Sequence, residues 1–182
     1  EFGKFVAKGG VYKGLKPVLW CMTDQTALAE AEVEYEDRTS PSIYVKFPVV
    51  NPQGKFPVEP AKGTYVVIWT TTPWTLLANR AICLHPKFMY QLVNTPVGQL
   101  IIAQDLVEQC MKAFGYKPGD FEITGGAYLG QELAGPNPVV CRHPWLDLKV
   151  PIVLGEHVTK EQGTGCVHTA PGHGQEDYEV GL

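Results

Sequence analysis

The sequence lacks any stretch of eighteen apolar residues and any N-terminal apolar run resembling a signal peptide, so it offers neither a membrane span nor a secretory leader. It lacks paired cysteines. Cys21, Cys83, Cys110, Cys141 and Cys166 are odd in number and contain no C-x-x-C spacing. That disfavours a disulfide framework or a structural zinc ribbon, and the expectation is a reducing, cytoplasmic setting. A basic excess is missing as well. The formal net charge of −4 excludes a globally basic nucleic-acid binder and leaves room only for a local basic face. There is no internal repeat, no alternating strand–helix pattern and no dinucleotide fingerprint. Gly163-Thr-Gly165 supplies two of the three glycines, but His168 stands where the third belongs.

What is present fits a globular chain. Its 182 residues are 45% hydrophobic and 19% charged, enough for one domain with a core, or for one domain and an appendage. Nineteen glycines and fifteen prolines imply many turns, which favours β structure over a helical bundle. The chain opens on Glu1 and ends inside an apparent helix at Leu182, so it reads as one domain, 1–182, cut from something longer, with a peripheral N-terminal segment over about 1–40.

Lys4, Lys8, Lys13 and Lys16 face only Glu1 in the first sixteen residues, an ordinary solvated face. Val18–Met22 reads as a strand. Residues 26–36 alternate Ala29, Ala31, Val33 and Tyr35 with four glutamates, a period of two, although alanine and glutamate leave a helical start near Thr26 open. Ile43–Phe47 is the next strand, and the proline-rich 48–62 a connection. Tyr65–Trp69 is the most hydrophobic strand and central. A hairpin is expected to turn around Thr95-Pro-Val-Gly98. Leu106, Val107, Cys110, Met111 and Phe114 form one helical stripe over 104–114, ended by Gly115. The expected fold is mainly β with α decoration, a β-barrel or sandwich flanked by short helices.

Two segments concentrate chemistry. In Trp69-Thr-Thr-Thr-Pro-Trp-Thr75, strand alternation points Thr70 and Thr72 away from Thr71, and Pro73 ends the strand with Thr72 available as an N-cap. Hydroxyls beside the indole of Trp74 suit the mouth of a cavity for a small ligand with polar and apolar parts. In Gly163–Tyr178, Cys166 and His168 share a strand face, Pro171-Gly-His-Gly174 turns the chain, and Asp177 falls in the first turn of a helix. His173, between glycines, reads as a turn residue. The residues alone leave three chemistries open. A metal hydrolase could recruit Cys166, His168, His173 and Asp177, at spacings that match no established ligand template. Cys166 could act as a nucleophile with His168, although neighbours two apart on a strand are poorly placed to touch. A metal-free site could use Asp177 to hold a cation while hydroxyls orient water. A binding module without turnover is the non-enzymatic alternative.

The threonine motif, followed by Asn79 and Ala81-Ile-Cys-Leu-His-Pro86, together with Gly163-Thr-Gly-Cys-Val-His-Thr-Ala-Pro-Gly-His-Gly-Gln-Glu-Asp-Tyr178, resembles the editing domain of the isoleucyl-tRNA synthetases. The resemblance extends over nearly the whole chain, including Tyr12–Pro17 and Thr26–Tyr35. The aminoacylation signatures His-Ile-Gly-His and Lys-Met-Ser-Lys-Ser are absent. The resemblance implies a closed β-barrel that hydrolyses valine wrongly esterified to isoleucine tRNA, with no metal, no cofactor and no covalent intermediate. Its partners would be the 3′-aminoacylated end of that tRNA, the valine moiety and the rest of a synthetase chain. By matching position, Asp177 would bind the substrate ammonium. His168, with Trp74 and Thr75, would line the side-chain pocket. Thr70, Thr71 and Thr72, with Asn79, would contact the terminal adenosine or place the water. Trp69, Gly163 and Gly165 would complete the substrate-binding surface. Related chains carry a cysteine pair after the early tryptophan, where Trp20-Cys-Met-Thr-Asp24 keeps one.

Overall fold

The computed structural model describes residues 1–182, which divide into two compact units, Glu1–Asp37 and Arg38–Leu182. The first holds helix α1 (Phe2–Ala7) and a hairpin of β1 (Leu19–Cys21) and β2 (Thr26–Leu28), with Trp20 opposite Ala27. The alternating pattern after Thr26 yields only this three-residue strand. Glu32 accepts the Ala29 N–H at 2.7 Å and winds Glu30–Glu32 into a 3-10 turn, so a local side-chain bond displaces the extended form.

The second unit is built on one mixed sheet. In chain order its elements are β3 (Ile43–Asn51), β4 (Thr64–Thr70), β5 (Ala81–Leu84), β6 (Met89–Thr95), β7 (Gly98–Ala103), α2 (Val107–Ala113), β8 (Glu122–Leu129), α3 (Gly130–Leu133), β9 (Val140–Arg142), β10 (Lys149–Leu154), β11 (Cys166–Thr169) and α4 (Gln175–Gly181). The strands lie in the order β11-β5-β10-β9-β3-β4-β7-β6-β8. Pairs β5–β10 and β4–β7 are parallel and the others antiparallel.

Local sequence explains most of these elements. Strand β4 sits between β3 and β7, and Val66, Val67 and Ile68 are buried on both of its faces, as an unbroken apolar run requires. The β6–β7 hairpin closes with Thr95 opposite Gly98, where the Thr95 hydroxyl donates to the Gly98 carbonyl at 2.7 Å. The stripe over 104–114 splits into a 3-10 turn, Gln104–Leu106, and then α2. Its Leu106, Val107, Cys110 and Met111 are buried in the core with Phe47, Leu92, Leu100 and Ile102.

The sheet is open, and the expected closed barrel is not formed. Its edges, β11 and β8, share no hydrogen-bonded ladder. Two local features explain this. Strand β11 is only four residues long and follows Gly163 and Gly165, whose φ of +76° and +71° bend the chain out of strand geometry. A single backbone bond, Ala103 N–H to the Thr164 carbonyl at 2.9 Å, joins this bend to the end of β7. At the other edge, β8 contains Gly125-Gly126, and its register with β6 shifts between Gln91 and Leu92. An irregular edge of that kind resists further pairing.

Candidate functional site

The bend before β11 is fixed by three consecutive carbonyls. Gly163 accepts from the Cys110 thiol at 3.2 Å, Thr164 from Ala103 N–H, and Gly165 from the Tyr90 hydroxyl at 2.7 Å. Tyr90 is wholly buried and also accepts the His85 N–H at 2.9 Å, so its hydroxyl spans two elements. A side chain at Gly165 would stand closer than 3.0 Å to Ala103 Cβ, and one at Gly163 would stand 3.0 Å from Trp69 Cβ. Both glycines are therefore required by close packing as well as by their backbone angles.

β11 then delivers His168 to the end of β4. The two motifs meet in a cleft of about 340 Å³. Thr70, Thr72, Trp74 and Thr75 form one wall; Val167, His168, His173 and Asp177 form the other. Trp74 is 65% exposed at the mouth, while His168 is 6% exposed. Pro73 starts a 3-10 turn, Pro73–Ala78, rather than an α-helix. Thr72 precedes it without a side-chain cap; its N–H donates instead to Thr70 Oγ1 at 3.1 Å, and the two hydroxyls lie 3.2 Å apart. Asp177 Oδ2 accepts the Ala170 N–H at 2.9 Å, which ties the first turn of α4 back to the end of β11.

His168 is held on both ring nitrogens. Nε2 lies 3.0 Å from Thr75 Oγ1, and Nδ1 lies 3.5 Å from Asn79 Nδ2. Burial, more than anything else, pushes its pKa below the usual 6.5; Asp177 opposes the shift, and His143 and His173 reinforce it.

Not every expected residue lines this cleft. Thr71 turns the other way, as strand alternation requires, into an adjoining cleft of about 300 Å³ with Trp69, Gly163, Gly165, His157 and Gln162. Val167 borders both clefts. Asn79 is fully buried behind His168 and reaches neither. His173 sits in the turn before α4, as its glycine neighbours imply, and from there it also lines the cleft. Cys166 is 1% exposed, and burial raises its thiol well above the ordinary pKa, which leaves it a poor nucleophile. Cys166, His168, His173 and Asp177 do not converge as metal ligands, and no other group of three or more His, Cys, Asp or Glu side chains does.

Residues 1–159 match the family described as tRNA synthetases class I (I, L, M and V). The chain is 56% identical over 181 residues to an isoleucine–tRNA ligase of Moorella thermoacetica, covering 100% of this chain and 18% of that protein. It is 54% identical over 180 residues to an isoleucine–tRNA ligase of Natranaerobius thermophilus, covering 98% of this chain and 18% of that protein. It thus spans under a fifth of the length of the curated relatives it matches. Its fold is similar to that of the P. knowlesi cytosolic leucyl-tRNA synthetase editing domain, with a TM-score of 0.58, 14% identity, and coverage of 80% of this chain and 64% of that one. No helix is long and apolar enough to cross a membrane.

Proposed function

Since the chain belongs to the class I tRNA synthetases of the isoleucine, leucine, methionine and valine group, we propose that it is an editing domain that hydrolyses valine from misacylated isoleucine tRNA. The observation that carries this reading is the cleft in which the threonine motif faces His168 and Asp177. The need for such a site is energetic. Isoleucine against valine is itself the standard example of the limit: a binding pocket gains only about 1–3 kcal/mol from one extra methylene. A second pocket must accept valine and refuse the larger side chain by overpacking.

The cleft supports one division of labour. Asp177 receives the α-ammonium of the valyl group, since Ala170 N–H is its only protein donor. Trp74, Thr75 and His168 enclose the side chain, with His168 as the gate. Thr70 and Thr72 hold the attacking water against the ester carbonyl, from hydroxyls already set 3.2 Å apart. The terminal adenosine lies in the adjoining cleft, against Trp69, Thr71 and the Gly163–Gly165 backbone, so the ester bond falls beside Val167, which borders both. Hydrolysis then needs orientation and charge stabilisation more than a strong base. Valyl-adenylate offers the same ammonium and side chain and is a second candidate substrate.

Deacylation by the Asp177→Asn chain tests the reading. The amide keeps an acceptor for Ala170 N–H but loses the charge, and a charge-assisted bond contributes about 1.5–3 kcal/mol. The rate with valyl-tRNA is expected to fall about 10- to 150-fold. An unchanged rate would remove Asp177 from substrate binding, and no hydrolysis by the parent chain would leave a binding module.

A further inference from the structure

With His168 6% exposed and Asn79 fully buried, the ring nitrogens depend on protein partners, and their protons can be counted. Asn79 Nδ2 donates to the Ala81 carbonyl at 2.9 Å. That fixes the orientation of the amide, because the flipped form would set two acceptors against each other. The nitrogen facing His168 Nδ1 at 3.5 Å is therefore a donor, and Nδ1 must be a bare acceptor. On the other side, Thr75 has a single hydroxyl proton, and its Oγ1 stands 2.8 Å from the Thr72 carbonyl, which can only accept. That proton is committed, so Thr75 Oγ1 accepts from His168, and Nε2 carries the ring proton. The arrangement has a cost. Asn79 Oδ1 is buried without a partner while the amide nitrogen is turned toward the ring.

We propose that Asn79 is a positioning residue: it fixes His168 as the neutral, Nε2-protonated ring, so that His168 meets the cleft as a wall of set shape and not as a proton acceptor. The consequence for editing rests on the function proposed above; the tautomer itself does not. Both nitrogens are engaged by protein, so His168 is unavailable to take a proton from the attacking water. The charged and titratable groups facing it are Asp177 from α4, His173 from the turn before α4 and His143 from the segment after β9. Asp177 favours a second proton and the two histidines disfavour it. Asn79 adds a steric and dipolar objection, because a proton on Nδ1 would point at the amide N–H groups.

The test is 15N NMR of the imidazoles in the labelled 182-residue chain, with the His168 signal identified by its loss in the His168→Gln chain. At neutral pH the expected spectrum shows a bare Nδ1 and a protonated Nε2. Asn79→Asp supplies an acceptor with charge in place of the donor, and the His168 titration midpoint should rise by about 1–3 pH units. In deacylation, that variant should acquire an acid limb at higher pH than the parent. A parent spectrum with the proton on Nδ1 would overturn the proposal, as would an Asn79→Asp midpoint equal to the parent's. If Asn79→Asp does not fold, a parent spectrum with the proton on Nδ1 still overturns the proposal. The spectrum is read whether or not the chain hydrolyses any ester, so failure of the tautomer and failure of the editing reading remain distinct.

Discussion

Gly165→Ala probes the bend that carries β11 to the cleft. Two costs can be worked from its geometry. At φ +71° an L side chain pays about 1–2 kcal/mol for the left-handed region. The new methyl would also stand closer than 3.0 Å to Ala103 Cβ, against an ordinary carbon contact of about 3.5–4.0 Å. Ala103 is buried at the end of β7 and its N–H is bonded to Thr164, so backbone must move, and overpacking of this kind costs about 1–3 kcal/mol. The stiffer unfolded chain returns about 0.4–1 kcal/mol. The net loss is about 1–4.5 kcal/mol. With a urea slope of about 2 kcal/mol/M, the unfolding midpoint should drop by about 0.5–2 M. Gly172→Ala is the control, since its added carbon meets nothing within 4 Å and its φ is not in the left-handed region; it should stay within about 0.5 kcal/mol of the parent. Adding Ala103→Gly to Gly165→Ala should recover the packing part and leave the backbone part. A Gly165→Ala chain as stable as the Gly172→Ala control would mean that neither the backbone angle nor the Ala103 contact constrains the bend.

Tyr90→Phe should destabilise the chain by about 1–3 kcal/mol in urea, because it leaves the buried Gly165 carbonyl and His85 N–H without their shared partner. A change under about 0.5 kcal/mol would mean that the hydroxyl does not hold the bend. In thiol titration only Cys21, which is partly exposed, should react quickly. Burial pushes Cys83 and Cys141 up to about 12 and Cys110 to about 11, and Cys166 is raised well above its ordinary value; all four should wait for denaturant. Loss of deacylation on rapid modification, prevented by Cys166→Ser, would revive a thiol mechanism. Folding holds His168 below its ordinary pKa of 6.5, so the unfolded chain binds the proton first. Stability contributed by the neutral ring is then complete above about pH 6.5 and falls as pH drops through the window beneath it. His168→Gln should flatten that part of a stability–pH curve, and an unaltered curve would contradict it.

The parts of this fold set by local pattern are legible in the sequence. The apolar run of β4, the hairpin around Thr95–Gly98 and the buried stripe of α2 each follow from periodicity and turn residues within one segment. Opposite facing of Thr71 and its two neighbours follows from strand alternation alone, and it separates the two clefts. What depends on partners distant in sequence is not legible. Closure of the sheet turns on whether β11 can pair with β8. Gly163, Gly165 and Gly125-Gly126 are visible in the sequence, but the bend and the shifted register they permit are set against Ala103 and β6, which are distant in the chain. Asn79 follows the threonine motif closely enough to read as a ligand contact, yet its amide is spent on Ala81 and His168. The alternation of residues 26–36 misleads because a side-chain bond from Glu32 outcompetes the extended form.

The proposed discrimination, valine removed and isoleucine spared, resides in the cleft between the threonine motif and His168. It is tested most directly by deacylation of isoleucine tRNA charged with valine or with isoleucine, using the 182-residue chain in excess. An overpacking penalty of about 1–3 kcal/mol predicts that the valyl ester is cleaved about 5- to 150-fold faster. Equal rates on the two esters, or none on either, would contradict it.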